Sequence, residues 1–181
     1  MKETIKLGMI LFLITVISAG VLAVSNNLTK GKIAEIEMAG SIGALKEIFG
    51  EEYSFKPLDE EKINEITESN SSVIEIFEAY DGENLYGYAI KTKSSGFGGD
   101  LVTLTGFASD GNVMGMRLLE HSETPGIGAK AAEADFSDKF VGKGASEEIK
   151  VEAISGATIT SKGVMAGVNI AREVFNTELS N

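Results

Sequence analysis

The chain has 181 residues, 43% of them hydrophobic, enough for one domain with a proper core. Its 16 Lys+Arg against 27 Asp+Glu leave a net charge of −11, a surface that repels phosphate backbones and excludes nucleic acid as a partner. Cysteine and tryptophan are absent and His121 is the sole histidine, which excludes disulfides, iron–sulfur clusters, thiolate zinc and multi-histidine metal sites. No metal site and no catalytic residue set is expected, so any redox chemistry must reside on an organic cofactor or a partner.

The N-terminus comes first in chain order. Leu7–Val24, LGMILFLITVISAGVLAV, is 18 residues without a charge, preceded by Lys2 and Lys6. At about 1.5 Å per residue it reaches about 27 Å, close to the ~30 Å hydrocarbon thickness. A cleaved signal peptide is the rival reading, with Ala23–Ser25 as a small-residue cleavage site. The length favours a retained anchor, and Lys2 and Lys6 favour a cytoplasmic N-terminus. Either way residues 26–181, which carry a net −12, lie outside the cytoplasm. The expected organisation is an anchor over 1–25 and an extracytoplasmic domain over 26–181.

Beyond the span, Ile33, Ile36, Ile42, Leu45, Ile48 and Phe49 recur at helical spacing and stop at Gly50. LDEEKINEITES predicts a short acidic helix around Ile63 and Ile66. The period then changes to two. Strand-like runs flank Asp81-Gly82-Glu83-Asn84, and a second pair flanks Asp110-Gly111, both hairpin signals. Their alternation predicts an antiparallel sheet with one face buried. HSETPGIGAKAAEADFSDKF reads as a loop entering a helix, and EIKVEAIS as a short last strand. A final helix from Ser161 places Val164, Val168, Ala171 and Phe175 on one side. This order gives an α+β fold, an antiparallel sheet with flanking helices, preceded by one N-terminal transmembrane helix.

Three stretches can bear a site. SSGFGGD (94–100) is a glycine turn between strands, or a loop that a ligand's flat face approaches closely. LEHSETPGIGAK (119–130) is a polar loop in which Pro125-Gly126 and Gly128 can present backbone amides. AISGATITSKGV (153–164) crowds Ser155, Thr158, Thr160 and Ser161 around Gly156 and Ala157 with no adjacent base, so these hydroxyls are poor nucleophiles unaided. Thr160 or Ser161 is expected to cap the last helix, whose N-terminus also favours an anion such as phosphate.

GFGGDLVTLTGFASDGNVMGMRLLEHSETPGIGAK together with AISGATITSKGV resembles the FMN-binding domain found in the G subunit of the Rnf electron-transport complex. The same domain occurs in the C subunit of the sodium-translocating NADH:quinone reductase. The resemblance covers about residues 85–175 in detail, and the N-terminal span and ALKEIF helix match the family's layout. It implies FMN held covalently by a phosphoester to a threonine, here Thr158 of Ser155-Gly156-Ala157-Thr158. A separate flavin transferase, using FAD and magnesium, would make the bond, so the acceptor needs no base. Gly156 and Ala157 would leave the backbone accessible and Ser155 would bond the phosphate. Glu123, Thr124, Gly126, Ile127 and Gly128 match the family's E-T-P-G-hydrophobic-G turn, which implies that this loop packs against the flavin.

The implied function is an electron carrier in a membrane ion-translocating complex. That complex couples transfer between reduced ferredoxin and NAD to movement of sodium ions or protons. The other subunits would be partners, and the chain would not turn over a substrate alone. A stand-alone flavoprotein reductase, the quinone-reductase subunit and a non-redox surface binding module are the alternatives.

Overall fold

The computed structural model describes the backbone of residues 2–180 and the side chains of 4–33, 36 and 38–180; the Lys2 side chain, one of the two flanking cations, lies outside them. The chain divides into two compact units, Met1–Gly40 and Ser41–Asn181. Helix α1 spans Lys2–Phe49. In the first unit its large apolar side chains, among them Leu11, Phe12 and Leu22, are exposed. A helix apolar all round has no buried stripe to offer a soluble core. It is long and apolar enough to cross a membrane. Thr15, polar within this stretch, donates its hydroxyl to the Phe12 carbonyl at 2.8 Å and so needs no water.

The second unit is built on a five-stranded sheet: β1 Ser54–Pro57, β2 Val73–Asp81, β3 Asn84–Ser95, β4 Asp100–Ala108 and β5 Val113–Glu120. All neighbours are antiparallel and the spatial order is the chain order. Both predicted hairpins form, the first turning at Gly82 with φ 61° and the second at Gly111 with φ 84°. Helix α2, Glu60–Ser69, begins where Asp59 accepts from the Glu61 N–H at 3.0 Å.

Both faces of the sheet are covered, which corrects the expectation of one buried face. Leu101–Ala108 of β4 is buried at every position. Ala44, Leu45, Ile48 and Phe49 of α1 pack with Phe77, Ala79, Ala89 and Leu104 on one side. On the other, helix α4 (Thr158–Val174) brings Val164, Val168 and Ala171, with Phe175 just beyond, against Ile90, Leu101, Phe107 and Met116. The alternation read in β4 marks no exposed face, because its Thr103 and Thr105 are as buried as its apolar residues and neither face meets water.

Two further expectations fail, and one strand is additional to those expected. EIKVEAIS forms no strand: Asn169 of α4 accepts from the Ile149 N–H at 2.8 Å and donates to its carbonyl at 2.9 Å, replacing a sheet partner with a side-chain amide. The helix expected after the ETPG loop is only the 3-10 turn Gly128–Ala132, the single α turn α3 (Ala134–Ser137) and the 3-10 turn Asp138–Phe140. Burying Phe136 and Phe140 edge-on at 5.5 Å takes precedence over a regular helix there. Finally, β1 goes unpredicted: it is a four-residue, largely exposed edge strand ending in proline, too short for a period of two.

Helix α4 lies unusually close to the sheet. Ser94 Oγ donates to the Gly163 carbonyl at 2.9 Å, and Thr92 Oγ1 to the Gly167 carbonyl at 3.0 Å. A Cβ at Gly163 would sit 2.4 Å from the Ser95 carbonyl oxygen. Gly163→Ala is therefore expected to lower stability by about 1–3 kcal/mol through forced displacement of α4, read as a lower thermal midpoint of the full chain in detergent.

Candidate cofactor site

Three chain segments meet at one end of the sheet: the Gly96–Gly99 turn between β3 and β4, the loop that follows β5, and the entry to α4. Register accounts for the first two, since Ser95 pairs with Asp100 and Val102 with Glu120. The third follows from the docking of α4 through Gly163. A single carboxylate joins all three. Glu123 Oε1 accepts from the Phe97 N–H at 2.8 Å and the Gly98 N–H at 2.9 Å, and Oε2 accepts from the Thr160 hydroxyl at 2.6 Å.

Glu123 is only 5% exposed. Burial by itself would raise its carboxyl pKa, but the bonds from Thr160, Gly98 and Phe97, with His121 nearby, outweigh it and hold the group below the usual carboxylate range. His121 Nδ1 also accepts from the Glu123 N–H at 3.3 Å. Gly128 lies against this cluster so closely that a Cβ there would stand 2.6 Å from Glu123 Oε2.

Between the segments opens a cleft of about 370 Å³, within the ~300–1,000 Å³ range of small-molecule sites. Of the residues singled out in the sequence, Glu123, Thr124, Ile127, Gly128, Gly156, Ala157, Thr158 and Thr160 line it. Ser155, Gly126 and Ser161 are not in its wall. Gly126 is the exposed turn residue with φ 75°, after which the Ile127 and Ala129 N–H groups return to the Thr124 carbonyl at 3.2 and 3.1 Å.

The four hydroxyls of residues 155–161 separate by environment. Thr160 and Ser161 are buried and engaged. Ser161 Oγ accepts from the Ile154 N–H at 3.0 Å and donates to the Ala157 carbonyl at 2.9 Å. Neither caps α4, contrary to expectation. The helix starts earlier, at Thr158, and its N-cap Ala157 offers no side-chain hydrogen bond. Ser155 and Thr158 are exposed, and of these two only Thr158 lines the cleft. An N-terminus of a 17-residue helix without a side-chain cap thus faces the space where Thr158 stands, with N–H groups and positive dipole potential suited to a phosphate.

The opposite chemistry is present too. Phe97, Ile127 and Ile159, all in the cleft wall, are 69%, 49% and 56% exposed. Phe97 and Ile159 were not among the residues singled out. The available signal was a phenylalanine set between glycines in a turn, where a core residue has no reason to be. A wall combining an anion-favouring helix end with exposed apolar side chains fits a ligand with a phosphate at one end and a flat apolar ring system at the other. FMN has that form.

Comparison with known proteins agrees. Residues 96–173 match the FMN-binding domain family, and residues 1–48 match the RnfG N-terminal region. The chain is 33% identical to the G subunit of the Na(+)-translocating ferredoxin:NAD(+) oxidoreductase complex of Acetobacterium woodii, over 96% of this chain and 92% of that one. It is 28% identical to the G subunit of the ion-translocating oxidoreductase complex of Methanosarcina acetivorans, over 98% and 97%. Among solved structures, the C subunit of the Na(+)-translocating NADH-quinone reductase from Parabacteroides distasonis shares the fold. Its TM-score is 0.53 at 24% identity, covering 64% of this chain and 67% of that one. The match to the FMN-binding domain, the matching RnfG N-terminal region and end-to-end similarity to these G subunits together identify the chain as a member of the RnfG family.

Proposed function

We propose that this chain is an electron-transport subunit of a membrane-bound, ion-translocating oxidoreductase complex, and that it carries FMN joined to Thr158 by a phosphoester. The observation that carries the reading is the environment of Thr158: an exposed hydroxyl on the first residue of α4, in the wall of the cleft. FMN, when bound, supplies the redox chemistry, and the chain supplies position and surroundings. The uncapped start of α4 suits the phosphate, with Gly156 and Ala157 beside it, and the Glu123–Ile127 loop borders the rest of the cofactor.

Glu123, the carboxylate in the cleft wall, has both oxygens engaged by other donors, and among the described residues no side chain is hydrogen-bonded to the Thr158 hydroxyl, which supports attachment by a separate flavin transferase. Thr158 Oγ1 would take the place of AMP on the FMN phosphorus of FAD. One P–O bond forms, one breaks, and the hydroxyl proton is given up as AMP leaves.

The apolar helix before Gly40 serves in this reading as a retained anchor, with residues 26–181 on the extracytoplasmic side. A tether raises the effective concentration of the carrier at its neighbouring subunits. Intact mass of the protein from native membranes tests both parts. The expected result is a chain retaining residues 1–25 and bearing one FMN on Thr158, the flavin being absent when the transferase is deleted. A mature chain beginning near Asn26 would make the segment a signal peptide. A chain without flavin mass in the presence of transferase would favour the non-redox binding module.

A further inference from the structure

Of the eight phenylalanines in residues 41–180, six are buried and Phe55 is half-buried, whereas Phe97 is 69% exposed. A large ring left in water forgoes the free energy of burial, so its position has no explanation in folding. Nor is it loose. The Gly96 N–H closes the turn on the Gly99 carbonyl at 2.7 Å, and the Phe97 and Gly98 N–H groups are both fixed on Glu123. The turn is also pressed onto the loop after β5: a Cβ at Gly98 would stand 2.1 Å from the Ser122 carbonyl oxygen. A rigid backbone thus presents an exposed aromatic ring to the cleft that Thr158 also lines.

From this placement we infer that Phe97 is a positioning residue for the cofactor, an aromatic platform against which the isoalloxazine ring rests once its phosphate is fixed at Thr158. The inference rests on the proposed covalent FMN. Aromatic rings prefer offset-stacked or edge-on contact with one another, and a preorganised ring gains this contact without ordering a loop on binding. Ile127 and Ile159, exposed in the same wall, extend the apolar surface. Glu123 acts through Phe97, because its carboxylate holds the turn and has both oxygens engaged within the protein. A role for Phe97 in docking a partner protein is less favoured, since its ring lines a concave wall.

The test uses the full chain, matured with a flavin transferase, in detergent, as wild type, Phe97→Ala and Phe97→Tyr. Intact mass first establishes that each carries one FMN. Collisional quenching of flavin fluorescence by iodide, together with visible circular dichroism, then reads the ring's surroundings. Removing the platform uncovers the flavin face that rests on it, so Phe97→Ala is expected to raise the iodide quenching constant. It should also diminish the flavin dichroism, while Phe97→Tyr stays near wild type. Loaded Phe97→Ala with unchanged quenching and dichroism overturns the platform; if electron transfer in the membrane complex falls in that same variant, the ring is a docking contact instead. Wild type without flavin mass would overturn the cofactor reading and the platform with it, an outcome distinct from failure of the platform alone.

Discussion

Thr158→Ala is expected to abolish covalent flavin entirely while leaving the chain folded. The side chain is exposed, so its removal opens no cavity, and a surface substitution of this kind changes stability by no more than about 0.5 kcal/mol. In-gel fluorescence after denaturation reads the loss directly, because only covalently held flavin survives the gel. Two neighbouring hydroxyls serve as controls. Thr160→Ala should keep its flavin, since its hydroxyl is already donated to Glu123 within a buried contact. Ser155→Ala should keep it as well, because Ser155 is exposed but outside the cleft wall. Flavin retained in Thr158→Ala and lost in Ser155→Ala would move the attachment point by three residues.

Glu123→Ala carries the second large effect. It removes one acceptor from three donors on two other segments, and hydrogen bonds to a charged group contribute about 1.5–3 kcal/mol each when buried. Water can reach the exposed Phe97 and Gly98, so most of the loss falls on the buried Thr160 hydroxyl, and a total of about 2–4 kcal/mol is expected. Covalent flavin should persist, because Thr158 remains accessible. Glu123→Gln keeps an oxygen for the two N–H groups and turns its amide toward Thr160, so its cost should be about 1 kcal/mol.

The two variants also separate by pH. The Glu123 carboxyl is depressed from its ordinary value of 4.5, so its stabilising contribution is present above that value and is lost as pH falls through the depressed one. Wild type should therefore lose its advantage over Glu123→Gln on acidification below about pH 4.5. Thermal midpoints across that range are the measurement. An advantage that stays constant would mean that the proton does not go to Glu123.

Where the chain's periodicity was strong, the sequence was sufficient. The Asp-Gly hairpins, the acidic helix α2 and the Val164–Val168–Ala171 stripe are all present. What escaped it depended on contacts distant along the chain. The segment at 148–155 looks like a strand because Ile149, Val151 and Ala153 alternate with charged residues, but its partner is the Asn169 amide on a helix. Thr160 looks like a cap because hydroxyls near helix starts generally are, but a carboxylate 37 residues earlier takes it instead. The helix then begins at Thr158, two residues before the expected cap, which leaves its first turn available to the cleft. The glycine-rich stretch and the ETPG loop were each visible as loops. That Glu123 joins them required the antiparallel register that places Val102 beside Glu120.

The meander also sets an order of events. Each strand pairs with its chain neighbour, so the loops to be closed are short and the sheet can assemble in chain order. Helix α4 comes last and must wait for the whole sheet to dock on. Until it arrives, the Gly96–Gly99 turn and the loop after β5 can already be held together by Glu123 through two of its three hydrogen bonds. The Thr160 hydroxyl, and with it the wall bearing Thr158, arrives only with the final helix. A chain truncated before Ala157 would keep the whole sheet and have no finished cleft, so the ligand site is the last part of the domain to exist.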